Sequence, residues 1–267
     1  MKMNKTIMNC SVYCNNCNSN SHSFSKCIEP IYSYGILCYK IINGKISYIF
    51  VRRKQSFAFT DFIRGRYDKN NHAYIHNLIS RMTQIEHQYL KTKTFTEIWK
   101  IMWGQNYKKH IKEMELCKVI FYETRKKHLL EQLHTNYMDP EWGIPKGKQM
   151  INETITQTSQ REFTEETNVN CEDIVFEDIE PMSEEYVSID NKRYISIYFL
   201  ARYIGADTPL YINPNNLNQC TEIGDIKWYS LEECILACRS YYYQKIQCLI
   251  HAHRYIKNLF PQTQSTI

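Results

Sequence analysis

The pattern of hydrophobic and polar positions first predicts two strands near the start of the chain. Residues 33–41 and 46–53 are rich in β-branched and aromatic side chains, a composition typical of strands. The two segments flank Asn43 and Gly44, a pair that favours the tight turn of a β-hairpin. The sequence therefore predicts a hairpin that supplies the first two strands of a sheet.

Between residues 72 and 138 the hydrophobic positions take the three-and-four spacing of amphipathic helices. We predict one helix over residues 75–89, a second over 95–103, and further helical segments over 111–133. The aromatic residues of this region are interpreted as a local core rather than as platforms for base stacking. Residues 67–137 are thus predicted to be a helical insertion between strands of the sheet.

Strand-like segments return in the last third of the chain. In chain order we predict strands at residues 173–180 and 192–204, a polar loop at 205–220, a short strand after Glu222, and one closing helix at 231–260. Between the two longer strands, Glu184, Glu185 and Tyr186 are interpreted as a turn that presents a carboxylate or an aromatic ring to a neighbouring site.

A predicted helix in mid-chain concentrates acidic residues. Thr154, with a glutamine three residues later, forms a capping-box signature, and the helix is predicted to continue to about residue 167. At 100° per residue, Glu162, Glu165 and Glu166 fall within one third of its circumference. Like charges so spaced destabilise an exposed helix by about 0.2–0.5 kcal/mol per pair. The face therefore suits Mg²⁺ or Mn²⁺ and attack on a phosphoanhydride, with a solvated acidic helix end as the alternative.

Residues 147–169 resemble the signature of the Nudix hydrolases. That signature is Gly, five residues, Glu, seven residues, Arg-Glu, an aliphatic residue, any residue, Glu-Glu, any residue, Gly and an aliphatic residue, and seven of the nine specified positions match. Phe163 replaces the first aliphatic residue, and Asn168 replaces the second glycine. Asparagine is the non-glycine residue that best tolerates a left-handed helix end, so neither departure removes a ligand.

A narrower resemblance extends over roughly residues 33–260. Residues 142–148 are similar to the segment that leads into the signature in the cellular mRNA-decapping catalytic subunit. The whole stretch looks still more like the mRNA-decapping hydrolases of large cytoplasmic DNA viruses, of the African swine fever virus and giant virus type. The matching segments are residues 56–63, 95–103, 142–169 and 222–228.

The resemblance implies an α+β fold, a Nudix α/β/α sandwich with a mixed sheet. Added to it are an inserted α-helical domain and a short N-terminal Cys/His-rich segment. The implied limits are 1–32 for this tail, 33–66 for the first part of the Nudix domain, 67–137 for the insertion and 138–267 for the second part.

The implied activity is hydrolysis of the 5′ cap of mRNA, which releases 7-methylguanosine diphosphate and 5′-monophosphate RNA with Mg²⁺ or Mn²⁺ as cofactor. Candidate metal ligands are Glu162, Glu165, Glu166 and Gly147. Glu165 is either a ligand or the general base, Glu222 is the second candidate base by position, and Arg161 is expected to orient Glu165 or the preceding loop. Candidate substrate contacts are Lys146, Lys148, Arg53 and Tyr186, and candidates for stacking on the cap are Phe59, Tyr186 and Trp142.

Two other functions stay open. The same metal face would serve a hydrolase of a diphosphoinositol polyphosphate or a nucleotide diphosphate. A non-catalytic RNA-binding protein is the alternative from another class. The insertion, with sparse acidic residues between Lys91 and Glu113, is either a grip for the RNA body or a structural lid.

Composition limits the class of protein and the cellular compartment that we expect. With 267 residues and 43% hydrophobic content the chain can bury a full core, and its net charge of +5 permits an anionic partner such as capped RNA without demanding one. Eleven cysteines and an N-terminus without an apolar signal region indicate a reducing cytosol. We expect the cytoplasm of an infected host cell, with packaging in the virion left open, no DNA partner and no membrane span.

The N-terminal segment carries a candidate zinc site. Cys14, Cys17, His22 and Cys27 are spaced Cys, two residues, Cys, four residues, His, four residues, Cys. This spacing suits a tetrahedral Zn²⁺ and equals that of zinc knuckles that grip single-stranded RNA. Cys10 is a possible substitute ligand, and a disordered tail with incidental cysteines is the alternative.

Overall fold

A mixed β-sheet forms the centre of the fold, which we describe from a computed structural model for residues 14, 16–17, 19–23, 26–126, 134–188 and 192–261. Strand β1 (Ile31–Ile42) lies in the middle of the sheet. It pairs antiparallel with β2 (Lys45–Arg53) and parallel with a strand from the last third of the chain. The predicted hairpin is confirmed, and Asn43 and Gly44 form its turn with φ angles of 51° and 72°.

The remaining strands extend the sheet on both sides of β1. They are β3 (Trp142–Gly143), β4 (Lys146–Gly147), β5 (Ile174–Phe176), β6 (Met182–Val187), β7 (Arg193–Tyr203) and β8 (Ile223–Tyr229). Strand β7 is the parallel partner of β1, β5 and β6 pair with β7, β3 and β8 pair with β2, and β4 pairs with β1. The strand predicted at 173–180 is therefore confined to β5. The turn predicted at residues 184–186 is wrong, because these residues lie within β6.

Helices cover both faces of the sheet. Helix α6 (Ile155–Thr167) packs Phe163 against Ile36 and Cys38 on one face. On the other face, α8 (Leu231–Ala237) and α9 (Tyr243–Leu259) pack against Leu37 and Tyr39. Because successive side chains of a strand point to opposite faces, these four consecutive residues of β1 serve both cores. The predicted α/β/α sandwich with a mixed sheet is confirmed.

Two predictions near the C-terminal end of the domain are corrected. The closing helix is two helices, since Cys238 at the end of α8 has an extended backbone and α9 begins at Tyr243. The polar loop predicted at 205–220 runs instead into α7 (Leu217–Glu222), which Asn216 caps by accepting a hydrogen bond from the backbone N–H of Gln219.

A helical unit, residues 57–126, has its own apolar core. It contains α1 (Phe57–Ile63), α2 (His72–Arg81), α3 (Gln84–Thr92), α4 (Phe95–Trp103), a 3₁₀ helix (Gly104–His110) and α5 (Ile111–Lys126). Phe95 and Trp99 are fully buried in it, which confirms the prediction of a local core. Phe59 is also fully buried there, so its candidacy for cap stacking is wrong. The predicted helical stretch 127–133 lies outside the described residues.

The helix predicted over 75–89 is interrupted. Met82 is extended, with ψ 165°, and ends α2. Thr83 then begins α3, because its side chain caps the backbone N–H of Glu86 while the Glu86 carboxylate accepts from the Thr83 N–H.

Within the described part of the chain, no helix has the length and apolar character needed to cross a membrane.

Candidate active site

Helix α6 carries the acidic face and has the predicted limits. Thr154 and Gln157 form the capping box at its start. Asn168 ends it in the left-handed conformation, with φ 59° and ψ 19°, as expected for the residue that replaces glycine in the signature. The Asn168 side-chain oxygen also accepts a hydrogen bond of 3.1 Å from Asn213.

Arg161 ties the loop before α6 to the acidic face. Its guanidinium donates to both carboxylate oxygens of Glu153, at 2.6 and 3.0 Å, and to the carbonyl oxygen of Lys148 at 2.9 Å. It also donates to Glu162 at 2.7 Å and lies 3.5 Å from Glu165. Hydrogen bonds from Arg161 lower the pKa of Glu153 to about 2. Arg161 thus orients the loop and Glu162, and its contact with Glu165 is longer. Sequence reasoning missed that Glu153 is the main partner of Arg161.

Gly147 and Glu162 are in close contact. A Cβ atom placed on Gly147 would lie 2.0 Å from the carboxylate carbon of Glu162, so any larger residue would displace that carboxylate. Gly147 is held in β4 by pairing with Tyr34 of β1. Burial raises the pKa of Glu162, and the negative charges of Glu165 and Glu222 raise it further against the opposing effect of Arg161.

Glu166 lies at the bottom of the acidic face. It is 9% exposed, and its carboxylate accepts a 2.9 Å hydrogen bond from the backbone N–H of Lys146. Burial raises the pKa of Glu166 to about 8, and the neighbouring charges of Glu222 and Glu162 add to this effect. The carboxyls are therefore near enough to oppose each other's ionisation.

Glu222 reaches the same cluster from another part of the chain. It is the last residue of α7, and its backbone carbonyl accepts from the N–H of Lys54 at 2.8 Å. Two side chains fasten α7 to α6: Gln219 donates to the carbonyl of Glu166 at 3.0 Å, and Asn216 donates to the carbonyl of Glu165 at 3.1 Å. The exposed Glu222 carboxylate thus faces the buried ones.

The cluster has the donor set of a hard divalent cation. Glu162, Glu165, Glu166 and Glu222 offer only carboxylate oxygens, the ligands that Mg²⁺ and Mn²⁺ prefer. Burial, and after it the charges of the neighbouring carboxylates, raise the pKa values of Glu162 and Glu166 although Arg161 and Lys146 lie beside them. These residues fit a divalent metal.

A cleft opens beside Glu166, and it is lined by basic and aromatic side chains that include Arg53, Phe57, Lys146, Tyr242 and Lys245. The Arg53 guanidinium lies over the Phe57 ring, 3.9 Å from its centre. Burial and the neighbouring ammonium of Lys245 lower the pKa of Lys146. Sequence reasoning missed Lys245 and Tyr242, because nothing in the local pattern of α9 relates them to residues 147–169.

The other candidate substrate residues have different positions. Lys148 is exposed just after β4. Tyr186 is half-buried, stacked on Tyr194 at 5.2 Å, with its ring 6.2 Å from that of Tyr242 in the cleft. Trp142 is only 7% exposed and packs in the core beneath α8 and α9. Of the three rings considered for cap stacking, Tyr186 is the most accessible.

Comparison with known proteins agrees with this geometry. Residues 118–245 match the family model of the NUDIX domain, so β1 and β2 precede the matched range. This part of the chain is therefore a NUDIX domain, and helix α6 with its acidic face lies inside the matched range.

Its relatives include viral proteins named for mRNA decapping. The chain is 28% identical over 198 residues to mRNA-decapping protein g5R of African swine fever virus, covering 71% of this chain and 80% of that protein. It is 24% identical over 349 aligned residues to a candidate mRNA-decapping protein of Acanthamoeba polyphaga mimivirus, covering 92% and 94%. A crystal structure of a C. elegans Ap4A hydrolase binary complex aligns with a TM-score of 0.46 and 14% identity, over 85% of this chain and 98% of that one.

The buried Glu166 predicts a pH-dependent stability. Its pKa of about 8 in the folded protein exceeds its ordinary value of 4.5, so the folded state binds more protons in this interval. The stability contributed by this group is fully present below the ordinary pKa and is lost as pH rises through the raised one. We therefore expect the unfolding free energy of the wild type, relative to Glu166→Gln, to fall from about pH 5 to about pH 8 in urea titrations with EDTA. A difference that does not change with pH would contradict this assignment.

Proposed function

We propose that the protein hydrolyses the triphosphate bridge of 5′-capped RNA and releases 7-methylguanosine diphosphate and 5′-monophosphate RNA. The observation that carries the proposal is the cluster of Glu162, Glu165, Glu166 and Glu222 beside Gly147. The similarity to viral proteins named for mRNA decapping, which extends over most of the chain, supports RNA as the substrate. The same proposal places the protein in the cytoplasm of an infected host cell.

Glu162, Glu165 and Glu166 would hold Mg²⁺ or Mn²⁺ next to Gly147. A cation bound there supplies positive charge that stabilises the phosphate oxygens and lowers the pKa of a water molecule. Arg161 positions this face, because it bridges Glu162 to the loop through Glu153. A general base must be ionised and within reach of the attacking water. Glu165, one third of whose side chain is exposed, and the exposed Glu222 are the two candidates.

The cleft beside Glu166 would bind the phosphate chain. Three basic side chains line this cleft: Arg53, Lys146 and Lys245. Charge-assisted hydrogen bonds from such groups bind phosphate oxygens strongly. Gly143 leaves room for the Lys245 ammonium, since a Cβ at this position would come within 3.3 Å of it. Tyr186, whose ring lies 6.2 Å from that of the cleft residue Tyr242, is our candidate for contact with the cap base.

The decisive assay offers cap-labelled RNA, free cap dinucleotide and inositol pyrophosphate in parallel, each with Mg²⁺ and with Mn²⁺. We expect 7-methylguanosine diphosphate from capped RNA at a higher kcat/KM than from the free dinucleotide. Preferential release of phosphate from inositol pyrophosphate would favour the small-substrate hydrolase instead. Binding of RNA without any product would favour a non-catalytic RNA-binding protein.

The helical unit is proposed to hold the RNA body. Lys108, Lys109 and Lys112 are exposed around the start of α5. We expect their joint replacement by alanine to weaken RNA binding and to reduce the slope of log affinity against log salt by about 0.7 for each lysine that pairs with a phosphate. Hydrolysis of the free cap dinucleotide should not change.

The matched control for this experiment replaces two exposed lysines outside the helical unit, Lys45 and Lys257. It should leave both the affinity and the salt slope close to those of the wild type. Equal RNA affinity for the triple variant and the wild type would instead support a structural lid.

A further inference from the structure

The N-terminal segment brings four metal-ligating side chains to one point. The ligand atoms of Cys14, Cys17, His22 and Cys27 all lie within 4.8 Å of one another. In a tetrahedral zinc site with Zn–S bonds of about 2.3 Å, two sulfur atoms lie about 3.8 Å apart. The four side chains therefore need only a small contraction to enclose an ion.

The apolar residues of this segment do not explain why its cysteines are buried. Cys14 is fully buried and Cys27 is 9% exposed, although the surrounding residues are mostly Asn and Ser. A segment with so little apolar surface cannot order its backbone by hydrophobic burial alone. A metal ion shared by residues at both ends of the segment would supply the missing stabilisation.

The groups around the four ligands orient them. Ser21 Oγ lies 3.0 Å from Nδ1 of His22, while Nε2 of the same ring lies 3.3 Å from the Cys17 sulfur. The ring thus points Nε2 into the cluster and has a hydrogen-bond partner on its other nitrogen, the arrangement usual for a ligating histidine. The backbone N–H of Cys14 donates to the carbonyl of Ser19 at 2.8 Å and closes the turn that contains Cys17.

Asn16 connects this cluster to the catalytic sheet. Its side-chain nitrogen lies 3.3 Å from the sulfur of Cys27, 3.2 Å from the carbonyl oxygen of Glu29 and 3.1 Å from that of Pro30. Strand β1 begins at the next residue, Ile31. An N–H group near the sulfur stabilises a thiolate rather than a neutral thiol.

We propose that Cys14, Cys17, His22 and Cys27 bind one structural Zn²⁺, which fixes residues 14–30 at the start of β1. Three thiolates and one imidazole complete the tetrahedron and leave no open position for a substrate, so this ion has no part in hydrolysis. Binding releases the thiol protons of Cys14, Cys17 and Cys27. The inference is independent of the proposed decapping activity, since it rests on no residue of the carboxylate cluster.

The test measures zinc in the full chain after expression in zinc-containing medium and dialysis against metal-free buffer. We expect one zinc per chain in the wild type. Cys17→Ser and Cys27→Ser should each lose at least about nine tenths of it, because removal of a thiolate opens a closed site. Cys171→Ser, which removes a half-buried cysteine beside α6, should keep the wild-type content.

Two further measurements keep the proposal falsifiable if a variant folds poorly. X-ray absorption at the zinc edge of the wild type should give a shell of about three sulfur atoms and one nitrogen. Cys10→Ser, at a residue outside the described part of the chain, should retain zinc. Three results would each overturn this ligand set. They are a wild-type protein with no more zinc than the Cys17→Ser variant, a zinc shell rich in oxygen, and loss of zinc in Cys10→Ser alone.

Discussion

Replacing Glu166 by glutamine is expected to lower kcat by about 10²–10³-fold, because loss of one group that supports charge stabilisation in the transition state has an effect of this size. Glutamine keeps the volume of the side chain, and its amide oxygen can still accept the 2.9 Å hydrogen bond from the Lys146 N–H. The substitution removes the group that can ionise and bind a cation, and it keeps the length of the side chain. RNA affinity should therefore stay within about twofold of the wild-type value, which binding and single-turnover measurements would show separately.

A measurement of thermal stability separates the loss of catalysis in Glu166→Gln from misfolding. Because burial and the neighbouring carboxylates raise the pKa of Glu166 to about 8, an uncharged residue at this position should not lower the melting temperature of metal-free protein above that pH. Glu172→Gln, an exposed carboxylate in the turn after α6, is the matched control and should hydrolyse capped RNA normally. Full hydrolysis by both Glu165→Gln and Glu166→Gln would end the assignment of this cluster as the catalytic centre.

Gly147→Ala is expected to lower kcat by about 10²-fold, because displacement of a catalytic group by 1 Å has an effect of this size. The new methyl group would lie 2.0 Å from the carboxylate carbon of Glu162, which Arg161 holds at 2.7 Å. Either the carboxylate or β4 must move. We expect the variant to require more Mg²⁺ for half-maximal rate, measured by titrating the metal at saturating RNA.

Gly44→Ala is the control variant, because it replaces a glycine that lies outside the carboxylate cluster. Gly44 has a φ of 72° in the hairpin turn, and a Cβ there would meet nothing within 4 Å. The substitution should lower the unfolding free energy by about 1–2 kcal/mol through backbone strain and leave turnover per folded molecule unchanged. If Gly147→Ala retained the wild-type kcat and metal requirement, the position of Glu162 would not matter for the reaction.

The helix with the acidic face could be predicted from the sequence because its signals are local. Thr154 and Gln157 mark its start, and Asn168 marks its end. The spacing from Gly147 to Glu166 then fixes which residues meet. The same locality explains the hairpin at Asn43, where the turn residues and the flanking strands are adjacent in sequence.

Strand β6 could not be recognised in this way. Its residues Glu184 and Glu185 read as a polar turn, yet Glu184 is only 2% exposed. Its carboxylate accepts a 2.7 Å hydrogen bond from the hydroxyl of Tyr198, and the ammonium of Lys245 lies 3.9 Å away. The partners that make burial of this carboxylate possible come from β7 and α9, so no window around residue 184 contains the information.

The apolar spacing concealed the break between α8 and α9. The capping box of Ser230 and Glu233 marks the start of α8 but not its end at Cys238. Hydrophobic residues continue at helical spacing through the gap, since both helices pack on the same face of the sheet. Periodicity reports which face is buried, and it does not report whether the backbone between two buried turns is continuous.

The parallel pairing of β1 with β7 has a consequence for synthesis of the chain on the ribosome. All elements of the helical unit lie within residues 57–126, so its core can assemble as soon as that stretch has emerged. Strand β1 must wait for Tyr194 to Arg202, more than 150 residues later. A nascent chain arrested before β7 would therefore carry a folded helical unit beside a hairpin that lacks the partner strands of both its edges, β7 and β8. Such an intermediate is of the kind on which chaperones act.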